Sequence, residues 1–242
     1  MRKNWILVLF CMLMTCIPPK PAEIVKENDV SKLENSTIVL LQPSVLDEKY
    51  VGFCAGVAIS PTEILTAKHC IVKFFQEGNE KLEDHLIEGL YVPFKTFEQG
   101  DIPYDPKAEG KISTVESPHF AVVRKISNKT DLALLETKEI KLIYTEREIN
   151  EPKVGEEVQI LGHPAGFEYT YFKGMISSVR FNNMVHITAP VFGGNSGGGA
   201  FTKNNKLIGI CSYYMVAVPN MSYFVNNDRI NEFVGEYYGN PK

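Results

Sequence analysis

Five of the seven residues from 193 to 199 are glycine, in the order Gly-Gly-Asn-Ser-Gly-Gly-Gly. Glycine is favoured where the backbone takes a positive φ or where another group approaches it closely. The hydroxyl of Ser196 stands at the centre of this run. Such a loop leaves the serine oxygen accessible and directs bare N–H groups towards one point, as a nucleophile beside an oxyanion hole requires. Taken alone, the run is equally well explained as a flexible glycine loop that contains a serine.

Short apolar segments separated by turn residues make up most of the remaining chain. They lie at 37–41, 53–59, 63–67, 119–124, 132–136, 158–162, 169–179, 184–189, 207–214, 216–218 and 221–225. Apolar runs bounded by Pro, Gly, Ser and Asn predict strands. From Asn226 onwards, Ile230, Phe233 and Val234 follow a helical spacing. Many short strands with one terminal helix predict an all-β protein built of β-barrels.

The N-terminal residues 1–16 are typical of a secretory signal. A positive start, Met-Arg-Lys, precedes ten apolar residues at 5–14, which are too few for a permanent span. We therefore expect an extracytoplasmic protein that is secreted, periplasmic or anchored at the cell surface. No Ala-x-Ala site follows, and Leu-Met-Thr-Cys at 13–16 resembles a lipoprotein signal, so ordinary cleavage and lipidation of Cys16 both stay open. Residues 17–36, rich in proline and then in charge, are predicted to form a linker or an arm.

Composition and charge exclude several classes of function. The net charge is −4 and no basic face is visible, which argues against nucleic-acid binding. The five histidines are scattered, with none at ligand spacing from a cysteine pair, so we expect no metal site and no cofactor.

Three cysteines lie beyond the signal, namely Cys54, Cys70 and Cys211. An oxidising compartment favours one bridge among them. A Cys54–Cys70 bridge would close a loop of about 16 residues and stabilise the fold by roughly 3 kcal/mol. It would leave Cys211 as a buried thiol in a strand.

Two further residues complete a chemical set with Ser196. His69 follows the end of a predicted strand, and Asp131 stands at the entrance of another. A serine hydroxyl becomes a strong nucleophile only when a base takes its proton, and an acid must hold that imidazole in one tautomer. Asp101 or Asp105 could replace Asp131, since both lie in the unusual segment 73–118, in which residues 74–89 fit either a surface helix or an inserted loop and residues 99–107 are turn-forming. We favour Asp131 because it alone enters an apolar strand.

These motifs resemble the three catalytic signatures of the chymotrypsin-fold, or trypsin-like, serine proteases. Thr-Ala-Lys-His-Cys at 66–70, Thr-Asp-Leu-Ala-Leu-Leu at 130–135 and Gly-Asn-Ser-Gly-Gly at 194–198 occur in that family's order. The resemblance implies a domain over 37–242 with two six-stranded antiparallel β-barrels, at about 37–145 and 146–242, and a C-terminal helix. It also implies a serine endopeptidase that acts on proteins or peptides through an acyl-enzyme.

The resemblance also implies roles for individual residues. His69 would be the general base, Asp131 the residue that orients it, and Ser196 the nucleophile. The backbone N–H groups of Gly194 and Ser196 would form the oxyanion hole, Cys54 would bridge to Cys70, and the strand Ser212-Tyr213-Tyr214 would pair with the substrate backbone.

Smaller motifs refine this resemblance. Gly-His-Pro-Ala-Gly at 162–166 and Gly-Met-Ile-Ser at 174–177 look most like the Deg/HtrA-type branch, here with no PDZ-like segment after the domain, and the oligomeric state stays open. Asn195 stands where the digestive branch has the aspartate that pairs with a new N-terminus, so we expect an enzyme that needs no such activation. Gly199 stands where proline is more common, which should loosen the loop.

Two departures bear on substrate choice. Pro190 occupies the position six residues before Ser196, and Tyr214 stands where a small residue is usual at the pocket mouth. Together they predict a shallow pocket for a small or medium apolar side chain. The alternative is a catalytically silent binding protein of the same fold, whose cleft would be blocked by Tyr214 and the segment 73–118.

Overall fold

The computed structural model describes residues 30–44, 49–75, 83–99, 114–181 and 183–239. Within these ranges there are thirteen strands: β1 Thr37–Pro43, β2 Tyr50–Ala58, β3 Glu63–Thr66, β4 Tyr91–Lys95, β5 Thr114–Val115, β6 His119–Ile126, β7 Ala133–Glu136, β8 Glu157–Gly162, β9 Thr170–Phe181, β10 Met184–Thr188, β11 Gly199–Phe201, β12 Leu207–Tyr214 and β13 Met221–Asn226. The helices are α1 Ser31–Ser36, α2 Lys68–Phe74, α3 Asp84–Ile87 and α4 Asn227–Tyr238. The signal sequence, Cys16, Asp101 and Asp105 lie outside the described residues.

The first barrel is formed by the N-terminal strands. Its strands follow the order β1-β4-β6-β7-β3-β2, all pairs are antiparallel, and the β1–β2 pairing closes the ring. The two-residue strand β5 pairs with the outer end of β2. Alternate side chains, including Ile38, Leu40, Ile64, Phe94 and Leu135, fill the interior.

The second barrel is closed in the order β10-β13-β12-β11-β8-β9, again with antiparallel pairs. Val158, Ile160, Ile176, Ile187 and Phe224 contribute to its interior. The predicted all-β fold of two six-stranded antiparallel barrels with a C-terminal helix is therefore confirmed.

A third apolar cluster lies between the barrels and beneath α4. Val57 and Leu65 from the first barrel meet Leu161 from the second barrel and Ile230 and Phe233 from the helix. Helix α4 begins where the sequence predicts, because the Asn226 side chain accepts a hydrogen bond from the Arg229 N–H at 3.1 Å. Burial of this cluster holds the two barrels together.

One predicted strand is wrong. Residues 216–218 form the exposed turn between β12 and β13, where the Val218 N–H donates to the Met215 carbonyl at 3.2 Å and Val216 is 84% exposed. The β-branched residues there have no neighbouring strand with which to pair, so composition alone gives the wrong assignment.

The segment 73–118 holds strand β4 of the first barrel, and residues 31–36, within the predicted arm, form helix α1 with Leu33 buried. Among the described residues, no helix is both long and apolar enough to cross a bilayer.

Candidate active site

His69 is positioned by the start of helix α2. Strand β3 ends at Thr66, Ala67 is extended, and the helix starts at Lys68, so the His69 N–H lies in the first turn, where no helical carbonyl can accept it. Asp131, in a neighbouring loop, provides the missing acceptor. Its Oδ1 accepts from the His69 N–H at 2.9 Å, and its Oδ2 lies 2.7 Å from His69 Nδ1. One carboxylate thus fixes both the backbone and the ring of the histidine.

Asp131 carries a third contact, because the Ser212 hydroxyl donates to its Oδ2 at 2.5 Å. Burial tends to raise the pKa of Asp131, but the hydrogen bonds and charge of His69 and the bond from Ser212 lower it, and the net pKa lies below the ordinary value. The carboxylate therefore stays ionised beside the imidazole at neutral pH.

The loop around Ser196 is shaped by two glycines with positive φ. The Asn195 N–H donates to the Phe192 carbonyl at 3.1 Å, and Gly194, the third residue of this turn, has φ +100°. A positive φ at that position is the mark of a type II turn. Gly197 has φ +82°, and a Cβ there would lie 2.2 Å from the Ala55 carbonyl oxygen. Only glycine fits at either position without moving backbone.

Hydrogen bonds from both barrels hold the Ser196 loop. The Gly197 N–H donates to the Cys211 carbonyl, and the Cys211 N–H donates to the Gly198 carbonyl, each at 2.8 Å. From the first barrel, the Ala55 N–H donates to the Ser196 carbonyl at 2.8 Å. The serine therefore sits where the two barrels meet.

His69 and Ser196 each have an atom close to the same sulfur. Cys70 Sγ is 3.9 Å from His69 Nε2 and 3.6 Å from the Ser196 carbonyl oxygen. Cys70 is bonded to Cys54, which confirms the predicted disulfide. The ligand atoms of Cys54, His69 and Cys70 lie within 4.8 Å of one another. Since the two sulfurs are joined, they offer no thiolates to a metal ion.

Two backbone donors in the loop are left open. In the described part of the chain, the N–H groups of Gly194 and Ser196 donate to no backbone carbonyl. They are the two donors that the sequence motif indicates for an oxyanion hole.

Comparison with known proteins agrees with this geometry. Residues 54–210 match the family described as the trypsin-like peptidase domain. The chain belongs to this family. It is a serine-type endopeptidase, and its substrates are proteins or peptides. No curated protein sequence matches the chain.

Solved structures share the fold of this trypsin-like peptidase. A serine endoprotease of Yersinia pestis has a TM-score of 0.64 at 19% identity, over 89% of this chain and 68% of the other. The active form of an M. tuberculosis protease has a TM-score of 0.64 at 16% identity, over 87% of this chain and 84% of the other. At these identities the likeness shows the chymotrypsin-like fold alone.

The predicted substrate strand lies at the end of β12 in this peptidase. Tyr213 stacks on Tyr223 with ring centroids 4.6 Å apart. Tyr214 faces Phe192 at 6.4 Å, and the Phe192 side chain is 53% exposed. These rings give the surface beside the Ser196 loop an apolar character.

The contact between Ser212 and Asp131 is a feature of the peptidase that sequence reasoning missed. The sequence pattern places Ser212 on the substrate strand, and nothing in its neighbours indicates that its hydroxyl turns towards Asp131, 81 positions earlier. The contact arises only when β12 of the second barrel packs against the loop that holds Asp131. Cys211, next to it in β12, is a buried free thiol as predicted.

A second serine–histidine pair occurs on the second barrel of the peptidase. Ser177 Oγ lies 3.2 Å from His186 Nδ1 in strands β9 and β10. Among the residues that the structure describes, His186 has no ion pair with a carboxylate, and its Nε2 is buried without a hydrogen-bond partner. This pair therefore lacks the acid that orients His69.

Proposed function

We propose that this peptidase hydrolyses peptide bonds with Ser196 as nucleophile, His69 as general base and Asp131 as the orienting acid. The observation that carries the proposal is the contact of 2.7 Å between His69 Nδ1 and Asp131 Oδ2. With Nδ1–H donated to the carboxylate, the neutral ring leaves the Nε2 lone pair free to accept the Ser196 proton.

The reaction then proceeds in two halves. Ser196 Oγ attacks the substrate carbonyl as its proton passes to His69 Nε2, and the oxyanion is bound by the N–H groups of Gly194 and Ser196. The C–N bond breaks when His69 returns the proton to the leaving amine, which yields an acyl-serine ester. Water then attacks this ester while His69 takes a water proton, and the proton returns to Ser196 as the acid product leaves. Asp131 stays ionised throughout and stabilises the imidazolium.

We further propose that the substrate adds as an extended strand beside Ser212, Tyr213 and Tyr214, a β-addition mode of binding. Phe192 and Tyr214 would then limit the depth of the pocket for the side chain before the cleaved bond. With Pro190 in place of an acid, this pocket would accept small or medium apolar side chains and exclude Lys and Arg.

Export is proposed from residues 1–16 and is supported by the disulfide, since such bridges persist in oxidising compartments. Mass spectrometry of the mature N-terminus tests this proposal. A chain that begins after the apolar stretch supports export, and a diacylglycerol-modified Cys16 would assign the lipoprotein type. An intact Met1 in the mature protein would contradict it.

A fluorophosphonate probe tests the catalytic assignment directly. We expect the probe to label the purified peptidase on Ser196, and Ser196→Ala to abolish labelling. Ser177→Ala is the matched control, because Ser177 also contacts a histidine yet should leave labelling at the wild-type level. Labelling that persists in Ser196→Ala would contradict the assignment. Labelling of the wild type without hydrolysis of any peptide library would favour the alternative of a cleft-blocked binding protein.

A further inference from the structure

The segment from His163 to Tyr169, which we call the bridging loop, joins β8 to β9 and is conformationally strained. Two of its non-glycine residues have positive φ, Ala165 at +51° and Tyr169 at +52°. A left-handed conformation costs a non-glycine residue about 1–2 kcal/mol. Such strain persists only where the surroundings hold the backbone in place, and it is concentrated at functional sites.

The first anchor of the bridging loop is the buried ring of His163. Its Nδ1 accepts from the Tyr169 N–H at 2.9 Å, which closes the loop on itself. Its Nε2 lies 3.2 Å from the carbonyl oxygen of Ile38 in the first barrel. Because Nδ1 accepts, the neutral ring must carry its hydrogen on Nε2 and donate it to Ile38. The histidine thus ties the loop of one barrel to a strand of the other.

The second anchor is a buried ion pair. Lys95, in β4 of the first barrel, pairs with Glu168 of the bridging loop, and their side chains are 1% and 9% exposed. The Lys95 ammonium also lies 6.0 Å from the centroid of the Tyr169 ring. A buried pair adds little net stability compared with apolar side chains of the same volume, whereas removal of one partner leaves a charge that the interior does not tolerate.

The bridging loop in turn contacts the proposed oxyanion hole at one peptide group. The Ala165 N–H donates to the Gly193 carbonyl at 2.7 Å. That carbonyl belongs to the same planar peptide as the Gly194 N–H, and in a trans peptide the two bonds point in opposite directions. The Ala165 bond therefore fixes the direction of the Gly194 N–H. Gly194 also rests on the loop, since a Cβ there would lie 2.1 Å from the His163 carbonyl oxygen.

We propose that the Lys95–Glu168 pair and His163 are positioning residues: the first barrel, through these anchors, holds the bridging loop so that the Gly194 N–H points into the oxyanion hole. This inference rests on the proposed function of the Gly194 N–H. It makes the contact between the barrels a requirement for transition-state binding, in addition to its part in the packing.

The double variant Lys95→Met/Glu168→Leu tests the proposal by removing both charges of this buried pair together. Loss of one oxyanion donor costs about 100- to 1,000-fold in rate, so partial misorientation should lower kcat by roughly 10- to 100-fold. KM should change by less than about threefold, and the acid limb of the pH profile should stay in place, because His69 and Asp131 are untouched.

The matched control is Arg124→Met/Glu136→Leu, which removes an ion pair of 2.5 Å in the first barrel. Among the described residues, neither Arg124 nor Glu136 forms a hydrogen bond or ion pair with the bridging loop, so kcat should stay at the wild-type level even if the melting temperature falls. An equal loss of kcat in this control would overturn the proposal, because the effect would then reflect general destabilisation.

Amide spectra of protein labelled with ¹⁵N-glycine give a readout that does not need turnover. The Gly193 and Gly194 resonances should shift or broaden in the Lys95→Met/Glu168→Leu variant and stay unchanged in the Arg124→Met/Glu136→Leu variant. Unchanged resonances in the first variant would overturn the coupling, as would shifted resonances with wild-type kcat. If the wild type hydrolyses no peptide, the proposed function fails, while these spectra still decide whether the anchors set the Gly193–Gly194 peptide.

Discussion

Ser212 donates its hydroxyl hydrogen bond to Asp131 Oδ2, the same oxygen that lies 2.7 Å from His69 Nδ1. Two donors on one carboxylate oxygen hold the acid at a fixed angle to the imidazole and favour its ionised form. Hydrogen bonds to a charged group contribute about 1.5–3 kcal/mol. Part of this energy should appear in the transition state, where the imidazole becomes an imidazolium that the carboxylate stabilises.

Ser212→Ala should therefore lower kcat about tenfold with little change in KM. The pKa of Asp131 should rise towards its ordinary value, because one of the hydrogen bonds that lowers it is lost. Steady-state kinetics on a peptide substrate measure the first effect. Ser212→Thr, which keeps a hydroxyl at this place, serves as the control and should retain most of kcat. Equal kcat in Ser212→Ala and wild type would show that the contact does not assist the reaction.

Asp131→Asn should be far more damaging than Ser212→Ala. An amide cannot accept from both the His69 N–H and the ring Nδ1–H with full strength, and it favours the tautomer that places the hydrogen on Nε2, where the Ser196 proton should go. In the chymotrypsin template this change costs about 10⁴-fold in kcat. A loss of that size at neutral pH, measured with an active-site titrant to correct for misfolded protein, is the expected result. A loss below tenfold would point to another acid, with Asp101 and Asp105 the first to test.

Removal of the disulfide should destabilise the fold and leave its topology intact. Cys54→Ala/Cys70→Ala removes a cross-link between positions 16 apart, which stabilises by roughly 3 kcal/mol in the chain-entropy model. For a domain of this size the melting temperature should fall by about 6–12 °C. Calorimetry with and without a reductant supplies the control, since the reductant should lower the melting temperature of the wild type and leave that of the variant unchanged. A reductant effect in the variant would assign the sensitivity to another group.

Tyr214→Gly should widen the range of accepted substrates. Its ring faces Phe192 at 6.4 Å beside the Ser196 loop, so its removal deepens the proposed pocket. Cleavage of a peptide library should change from small or medium apolar residues before the cut to larger aromatic ones. Tyr213→Phe, on the same strand, keeps its stack on Tyr223 and should preserve the wild-type preference. Cleavage after Lys or Arg by the wild type would contradict the proposed pocket.

Local signals in the sequence account for ten of the thirteen described strands, all except β4, β5 and β11, and for the three proposed catalytic positions. At Gly194 and Gly197, the sequence predicts a positive φ or a close approach of another group to the backbone, because only glycine fits such positions. The structure places both residues in such positions. The end of strand β3 and the entrance of β7 likewise place His69 and Asp131 where sequence patterns put them. These features depend on a few neighbouring residues.

Features that depend on contact between the two barrels could not be predicted from the sequence. His163 is a buried neutral anchor because its ring meets Ile38, 125 positions away, which no pattern around residue 163 indicates. Nothing in the segment 73–118 singles out Lys95, because its pairing with Glu168 exists only once β4 packs beside the bridging loop. The strand predicted at 216–218 is wrong for the same kind of reason. The composition there is typical of a strand, but no neighbouring strand lies beside it to pair with. Pairings between distant segments are set by tertiary packing, which no local pattern contains.

Acid should destabilise the peptidase through His163. Burial, followed by the positive charge of Lys95, lowers the pKa of this ring to about 3, although the hydrogen bond to Ile38 acts in the opposite direction. The ordinary value is 6.5. Between these values the unfolded chain binds a proton that the folded chain does not. The free energy of unfolding should therefore fall as the pH falls from 6.5 towards 3, by about 1.4 kcal/mol per pH unit, and His163 should have no effect above that range.

Urea unfolding of wild type and His163→Gln between pH 4.5 and 6 measures this slope. The variant should be less stable than wild type at every pH, because two ring hydrogen bonds are disturbed. The test is therefore the difference between the two proteins in the slope of the free energy of unfolding against pH. The window lies above the lowered pKa of Asp131, whose protonation would otherwise add to the slope. Between pH 6 and pH 4.5, the free energy of unfolding of wild type should fall by about 2 kcal/mol because of His163. The His163→Gln variant should lack this part of the fall. The free energy of unfolding of the two proteins could instead change with pH at the same slope, with equal m-values at each pH. His163 would then take up its proton in the folded protein without unfolding the loop that it anchors.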